Sequence, residues 1–261
     1  MKNMAKAKIG FSSGIPSLDD ILQGVWAGDN LVLQVDDIQD FLPFVHRFCQ
    51  YTNAAGKKLV YFRFADHPSF LPEGVQAECH QLNPQEGFEQ FISEIFTVIE
   101  KIGRGVYYLF DCLSGLAVDW YSDRMLGNFF MLTCPYLYIY DTVTCFVLLR
   151  NLHTPLAINA IHDTAQVILD VFRSNAKLYV LPIKVFERYS PTMYMLHSWE
   201  NDIFRPVTKS TVLSEILSNT PQPWIDFNID RRDTWTQTFI QARRTHEQLN
   251  KEWRSPRMSR R

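Results

Sequence analysis

The sequence has no apolar run long enough to cross a membrane. Its longest stretch without a charged side chain, residues 125–140, is sixteen residues long and contains Asn128 and Pro135, whereas a spanning helix needs about twenty apolar residues. The lysines among the first ten residues are not followed by an apolar stretch, so we predict no secretory signal. These absences predict a cytoplasmic protein that does not bind membranes.

Cysteine is scarce and has no recognisable spacing. The five cysteines form an odd set without any C-x-x-C pair, and they are Cys49, Cys79, Cys112, Cys134 and Cys145. We therefore expect reduced, buried thiols rather than a disulfide framework or a zinc site. The seven histidines are dispersed and lack metal-site spacing, so we predict no metal centre.

Glycine is missing from the second half of the chain. All eleven glycines lie at or before Gly127, and the last 134 residues contain none. Because glycine adopts positive φ without strain, we expect the turns that need this conformation to lie mainly in the first half.

Positive charge is concentrated towards the end of the sequence. Residues 231–261 carry nine Lys/Arg and three Asp/Glu, and residues 1–230 carry 17 and 25, so the two parts have net charges of +6 and −8. This split favours a basic tail that docks on the acidic body or on another copy of the chain. A nucleic-acid-binding arm is the alternative.

Apolar and amphipathic segments alternate along the first 210 residues. Predicted strands cover residues 31–35, 58–64, 106–111 and 142–149. Predicted helices are a short one from Ser17 to Gly24 and longer ones over residues 41–53, 84–102 and 120–132. Strand-forming segments then dominate, and the order predicts a doubly wound α/β domain over residues 1–210, with a mainly parallel sheet ending in antiparallel strands near Val207.

The polar, proline-containing residues 211–229 predict a linker, and residues 230–261 predict a basic amphipathic helix and tail. The apolar side of this helix, which we call the seam, recurs at steps of four and three and comprises Trp235, Phe239, Ala242, His246, Leu249 and Trp253. So short a seam needs a surface to pack against. That surface belongs either to its own domain or to a partner or second copy.

Four phrases occur in the order and spacing seen in KaiC-like members of the RecA ATPase superfamily. They are "GIPSLDDILQGVWAGDNLVL", "LVYFRFADHP", "VYYLFDCLSGLA" and "IHDTAQVILDVF…LPIKVFERYSPTMYMLHS". The sequence resembles that family over about residues 9–208, which implies a RecA-like fold. The resemblance also makes Asp111, at the end of a predicted strand, similar to the Walker B aspartate. The alternative for Asp111 is a strand-ending helix cap.

The family's phosphate-binding loop, G-x-x-x-x-G-K-[ST], does not occur in this sequence. By position, "VDDIQDFL" stands in its place. Val35 and Asp40 replace the two glycines, Phe41 replaces the lysine and Leu42 replaces the Ser/Thr. No signature residue remains to hold a triphosphate or magnesium.

The replacements also add negative charge, from Asp36, Asp37 and Asp40. Two like charges about 4 Å apart repel by about 4 kcal/mol at an effective dielectric constant of 20. Micromolar binding is worth about 8 kcal/mol in total. We therefore expect ordinary ATP affinity to be lost, unless a cation bridges the carboxylates and the phosphates.

Other residues that the resemblance implies are also missing from this sequence. Ala65 and Asp66 stand where the resemblance implies a catalytic glutamate pair. Lys184 matches the lysine of the late K-x-R motif, but Phe186 stands at the arginine position and Arg188 is displaced by two residues.

We predict a non-catalytic pseudo-ATPase that serves as a regulatory or protein-interaction module and binds a protein partner or itself, with the C-terminal helix as the candidate interface. The degenerate nucleotide site comprises Asp36, Asp37, Asp40, Phe41, Asp66, Asp111 and Lys184. No cofactor is expected. The alternatives are a divergent ATPase that binds ATP and magnesium, and a nucleic-acid-binding protein that uses the basic tail.

Overall fold

A computed structural model describes residues 10–218, in which helices cover a single nine-stranded sheet. The strands are β1 (Asn30–Val35), β2 (Leu59–Arg63), β3 (Glu78–Gln81), β4 (Tyr107–Phe110), β5 (Val143–Leu149), β6 (Val167–Ser174), β7 (Lys177–Val185), β8 (His197–Glu200) and β9 (Ile203–Pro206). The α-helices are α1 (Pro16–Leu22), α2 (Leu42–Ala54), α3 (Phe88–Ile102), α4 (Ser114–Asp119), α5 (Asp123–Ile139), α6 (Pro155–Thr164) and α7 (Ser210–Ser218). None of the helices within residues 10–218 is both long and apolar enough to span a bilayer.

The sheet has the order β3-β2-β4-β5-β1-β6-β7-β8-β9. The first six strands in the chain pair in parallel, and β7, β8 and β9 add an antiparallel meander beside β6. The predicted α/β class, with a mainly parallel sheet and antiparallel C-terminal strands, is confirmed. The carboxyl ends of the parallel strands lie along one edge of the sheet, where α/β proteins commonly bind ligands.

Both faces of the sheet are buried. Along β1, Leu31, Leu33 and Val35 join the core beneath α1 and α2, whereas Val32 joins the core beneath α3, α5 and α6. Successive side chains of a strand point to opposite faces, so a strand buried on both sides is apolar throughout. This is why the first strand was recognisable in the sequence as an apolar run, interrupted only by Gln34.

The sequence analysis missed β3 and mistook one cysteine. Strand β3 has the polar sequence "ECHQ" at the edge of the sheet, where half of its side chains are exposed, and such a strand has no apolar pattern to reveal it. Cys79 lies in this strand and is exposed, contrary to the prediction that all five thiols are buried. The other four cysteines are buried, and burial raises the pKa of the Cys49 thiol to about 12.

The prediction of a linker from residue 211 is wrong at its start, because α7 occupies Ser210–Ser218. Ile216 of this helix is buried in a small cluster with Phe172, Tyr179 and Leu196. Val212, Leu213 and Leu217 pack against the same cluster, so the apolar residues of the segment recur at helical spacing. The rest of the predicted linker and the predicted helix over residues 230–261 lie outside the described residues.

Eleven of the eighteen described residues with positive φ lie at or before Gly127, as expected, but the second half of the chain also makes such turns. Of the seven non-glycine residues after Gly127 that do so, five are Asn or Asp, and the seven are Asp141, Asn151, Asn175, Ala176, Glu187, Asn201 and Asp202. Asn and Asp tolerate this conformation because their short polar side chains hydrogen-bond locally. They replace glycine in these turns.

Candidate functional site

Six of the seven predicted site residues lie at the carboxyl edge of the parallel strands. Asp36, Asp37, Asp40 and Phe41 follow β1, Asp66 follows β2 and Asp111 follows β4. Lys184 does not join them. It pairs with Ile168 of β6, which in turn pairs with Val32 in the amino half of β1.

The segment after β1 is a turn of 3-10 helix, Ile38–Asp40, rather than an open loop. Asp37 caps it, because its Oδ1 accepts a hydrogen bond from the Gln39 N–H at 2.8 Å. The N–H groups of Asp40 and Phe41 donate to the backbone carbonyls of Asp37 and Ile38. The backbone donors that cradle phosphate in a glycine-rich loop are therefore already used within this turn.

Helix α2 also offers a reduced set of donors at its start. Pro43, in the first turn, has no N–H. The N–H groups of Phe44 and Val45 both donate to the carbonyl of Phe41. Anion binding at a helix N-terminus depends on free N–H groups, so this end of α2 is poorly suited to a phosphate.

The acidic residues after β1 are matched by arginines. The buried Asp40 forms an ion pair through Oδ1 with Nε of the half-exposed Arg173. The exposed Asp36 lies 3.1 Å from Nε of Arg150, whose side chain is buried. The sequence suggested uncompensated negative charge here, but distant parts of the chain neutralise two of the three carboxylates.

Phe41 fills the position that the resemblance assigns to the phosphate-binding lysine. Its side chain is fully buried, and its ring packs edge-on against Phe70, with centroids 5.1 Å apart. Phe70 also stacks on His67, at 4.2 Å between centroids. The segment after β2 thus folds over the end of β1 and closes the space with aromatic rings.

Asp111 holds this segment in place. Its carboxylate is fully buried and accepts hydrogen bonds from the N–H groups of Phe64 and Ala65, at 2.8 and 3.0 Å, and from the hydroxyl of Tyr61. Arg63 Nε lies 3.4 Å from Oδ2. Burial and the neighbouring Asp111 carboxylate raise the pKa of Tyr61. Both oxygens of the Asp111 carboxylate are therefore occupied by contacts within the protein.

His67 completes the closure beside Asp111. Its Nε2 accepts a hydrogen bond from the Cys112 N–H at 3.1 Å, and its Nδ1 faces the carbonyl of Pro68 at 2.8 Å. A ring nitrogen that accepts from an N–H is not a donor to the Asp111 carboxylate, although 3.5 Å separates the two groups. Asp66, which precedes His67 in the chain, is exposed.

Lys184 and Arg188 serve the fold of their own chain. The Lys184 ammonium donates to the carbonyls of His162 and Asp163 at the C-terminal end of α6, at 2.5 and 3.2 Å, where the helix dipole favours a cation. Arg188 forms a buried two-point ion pair with Asp29, at 2.8 and 3.1 Å, and lies over the ring of Trp26. Both side chains are thus engaged by groups of their own chain.

A buried polar cluster beneath the end of β1 was missed by the sequence analysis. Asp170 of β6 accepts a hydrogen bond from Gln34 Nε2 at 3.0 Å, and the same amide lies 3.5 Å from His162 Nε2. Burial raises the pKa of Asp170 to about 6, partly offset by Arg150. In the sequence, Asp170 stands inside the apolar run "VILDVF" and could have been noticed only as a lone acid in a strand.

A Ser-His-Asp chain of hydrogen bonds lies at the same edge, between β4 and β5. Ser114 Oγ is 2.8 Å from His153 Nε2, and His153 Nδ1 is 2.9 Å from Asp123 Oδ1. Partial burial alone raises the pKa of Asp123, but hydrogen bonds from His153 and the Thr154 N–H outweigh it and lower the pKa. Ser114, Asp123 and His153 are separated by nine and thirty residues in the sequence, so no local motif indicated that they meet.

Despite its geometry, this chain is not built as a nucleophilic site. Ser114 Oγ already accepts a hydrogen bond from the Leu149 N–H at 2.9 Å, and Ser114 and the His153 side chain are buried. The Gly115 N–H, which follows the serine, donates to the Cys112 carbonyl rather than into an open oxyanion site. The network ties the start of α4 and the start of α5 to the segment after β5. Ser114 therefore serves as a hydrogen-bonding residue at the exit of β4.

The residues at the degenerate nucleotide position do not fit magnesium and a triphosphate, because Phe41 and Phe70 occupy the space and Asp111 is fully engaged. Within residues 10–218, no three His, Cys, Asp or Glu side chains are grouped so as to hold a metal ion. No protein-family model matches the chain, and no curated protein matches it in sequence.

Proposed function

We propose that this chain is a non-catalytic pseudo-ATPase of the KaiC-like and RecA-like type that acts as a regulatory or protein-interaction module. Two of the phrases that carry the family resemblance, "LVYFRFADHP" and "VYYLFDCLSGLA", run through β2 and β4 to the carboxyl edge of a mainly parallel sheet, and this arrangement supports the proposal. What the family uses to hold phosphate is replaced there by apolar packing and by ion pairs within the chain.

The packing of Phe41 against Phe70 carries this proposal. A bound triphosphate would have to displace two aromatic rings from the core, and exposing each would cost about 2 to 3 kcal/mol. It would also have to compete with the hydrogen bonds that hold the turn after β1. Both costs subtract from the roughly 8 kcal/mol of a micromolar complex.

Isothermal titration of the full chain with ATP, with and without magnesium, tests the proposal. We expect no binding tighter than about 100 µM and no hydrolysis above the buffer rate. Sedimentation velocity in the same solutions should show one distribution, unchanged by nucleotide, because assembly does not depend on a phosphate. Binding tighter than 100 µM would contradict the proposal.

The competing hypothesis, a divergent ATPase, makes a distinct prediction. It requires turnover that Asp111→Asn abolishes while the exposed neighbour variant Asp66→Asn, if stably folded, retains a measurable rate. Because Asp111 also holds the fold, circular dichroism of Asp111→Asn must accompany the assay, and only a folded, inactive variant would support the ATPase.

A further inference from the structure

Four exposed apolar side chains lie on the two segments that follow β4 and β5 at the carboxyl edge of the sheet, and we call them the apolar patch. They are Val118, Tyr121, Leu152 and Leu156, and they are between 62% and 92% exposed. Among the described residues, seven large apolar side chains are at least 47% exposed. Four of these seven lie on two short segments of the fold.

The Ser-His-Asp chain joins these two segments. Leu152 is adjacent to His153, and Tyr121 lies two residues before Asp123. Asp123 binds His153 and also accepts from the Thr154 N–H at 2.6 Å. The apolar patch is thus fixed to a buried hydrogen-bond network, unlike solitary apolar residues on mobile loops.

The backbone at one residue of the patch is also held in an unfavourable conformation. Tyr121 has φ +50°. An aromatic residue rarely adopts this conformation, which glycine or asparagine would accept more readily. The fold nevertheless places a large ring there, 92% exposed, as expected of a surface that a partner covers.

We propose that the seam of residues 235–253 covers the apolar patch of its own chain. The two surfaces are complementary in chemistry. Each is apolar, and the segment that carries the seam belongs to the +6 part of the chain, while residues 1–230 carry −8. The seam that the sequence predicts is too short to be stable as an isolated helix, so it needs a surface of this kind.

The length of chain between the two surfaces permits this contact. The described residues end at Ser218, and sixteen residues separate this point from the first seam residue, Trp235. Sixteen extended residues reach about 50 Å, and a compact domain of about 210 residues has a radius of gyration of about 17 Å. A tether of this length gives a millimolar effective concentration, which favours docking within one chain over docking between chains. The inference holds whether or not a nucleotide binds.

Site-specific photo-crosslinking in the full chain tests the inference. The photoreactive residue p-benzoylphenylalanine replaces Tyr121 in one protein and Tyr189 in the other. Tyr189 is also an exposed tyrosine, 73% exposed, but follows Arg188, which pairs with Asp29 at the opposite edge of the sheet. We expect cross-linked peptides from residues 235–253 at least about fivefold more often from position 121, within single chains of monomer mass.

A matched pair of variants distinguishes the seam from the rest of the segment. Phe239→Ser with Leu249→Ser removes two seam residues and should abolish the cross-link from position 121. Gln237→Ser with Gln248→Ser changes the opposite side of the predicted helix and should leave it intact. Equal cross-linking from positions 121 and 189 would overturn the inference, and so would a cross-link found only in covalent dimers, because the segment would then come from another copy.

Discussion

Phe41 and Phe70 pack edge to face, with ring centroids 5.1 Å apart, at the position that the resemblance assigns to a phosphate-binding lysine. Phe70 reaches this point because Asp111 anchors the turn after β2. The residue that resembles a magnesium-binding aspartate therefore helps to close the site. One set of contacts accounts both for the stability of this edge and for the absence of room for a phosphate.

Phe41→Ala should destabilise the protein by about 3 to 5 kcal/mol, because it removes a fully buried ring and leaves a cavity. Urea unfolding measures the change. Phe41→Leu, which keeps an apolar side chain, is the control and should cost less. ATP affinity should not appear in either variant, and its appearance in Phe41→Ala would show that the ring alone had blocked a competent site.

Asp111→Asn should cost about 2 to 4 kcal/mol of unfolding free energy. The amide has one acceptor oxygen, so it cannot satisfy the Phe64 and Ala65 N–H groups and the Tyr61 hydroxyl together, and Arg63 loses its partner. Asp66→Asn, in the same turn but exposed, should change stability by less than about 0.5 kcal/mol. Equal urea midpoints for the two variants would contradict the structural role of Asp111.

Asp170 should make the protein less stable as the pH rises. In the unfolded chain its carboxyl ionises near its usual pKa of 3.8, whereas burial raises the pKa in the folded protein to about 6. Between these values the folded state binds more protons, so the unfolding free energy falls by about 3 kcal/mol on passing from pH 4 to above pH 6. The contribution is fully present below pH 3.8 and is lost through pH 6.

Asp170→Asn should remove this dependence, since the amide stays neutral and can still accept from Gln34. Urea unfolding at several pH values from 4 to 7.5 measures the difference between the two proteins, in which their other titrating groups cancel. The difference should shift in favour of the variant as the pH rises. A constant difference would mean that Asp170 is ionised throughout.

Ser114 should be chemically inert. A fluorophosphonate probe, which labels activated serines, should not label the protein, because Ser114 is buried and its oxygen accepts from the Leu149 N–H. Ser114→Ala should cost about 1 to 3 kcal/mol by leaving buried polar groups unpaired, against less than about 0.5 kcal/mol for the exposed Asn159→Ala. Labelling that disappears in Ser114→Ala would make the triad catalytic.

The elements were largely predictable because their apolar patterns are strong. The strand at residues 31–35 was recognised from an apolar run interrupted only by Gln34, and the helix at 84–102 from one apolar face. The structure has β1 at Asn30–Val35 and α3 at Phe88–Ile102. The polar edge strand β3 and the helix α7 were not recognised. Strand β3 pairs with β2, which is distant in the sequence, and its own residues carry no apolar pattern.

The candidate site was likewise only partly predictable from the sequence. The loss of glycine and lysine after β1 is visible in the letters "VDDIQDFL", but the fate of the charges that replace them is not. Arg173 lies 133 residues from Asp40, and Arg150 lies 114 residues from Asp36. Nothing local could indicate that these carboxylates are paired rather than exposed to one another.

The sequence by itself determined the α/β class, the mainly parallel sheet with antiparallel C-terminal strands, and the absence of a phosphate-binding motif, because these follow from residue type and local periodicity. Only the tertiary structure decided what occupies the vacated position, how Asp111 is used, and which serine, histidine and aspartate meet. Those outcomes depend on side chains brought together from separate strands, and their distances are set by the packing of the sheet rather than by spacing along the chain.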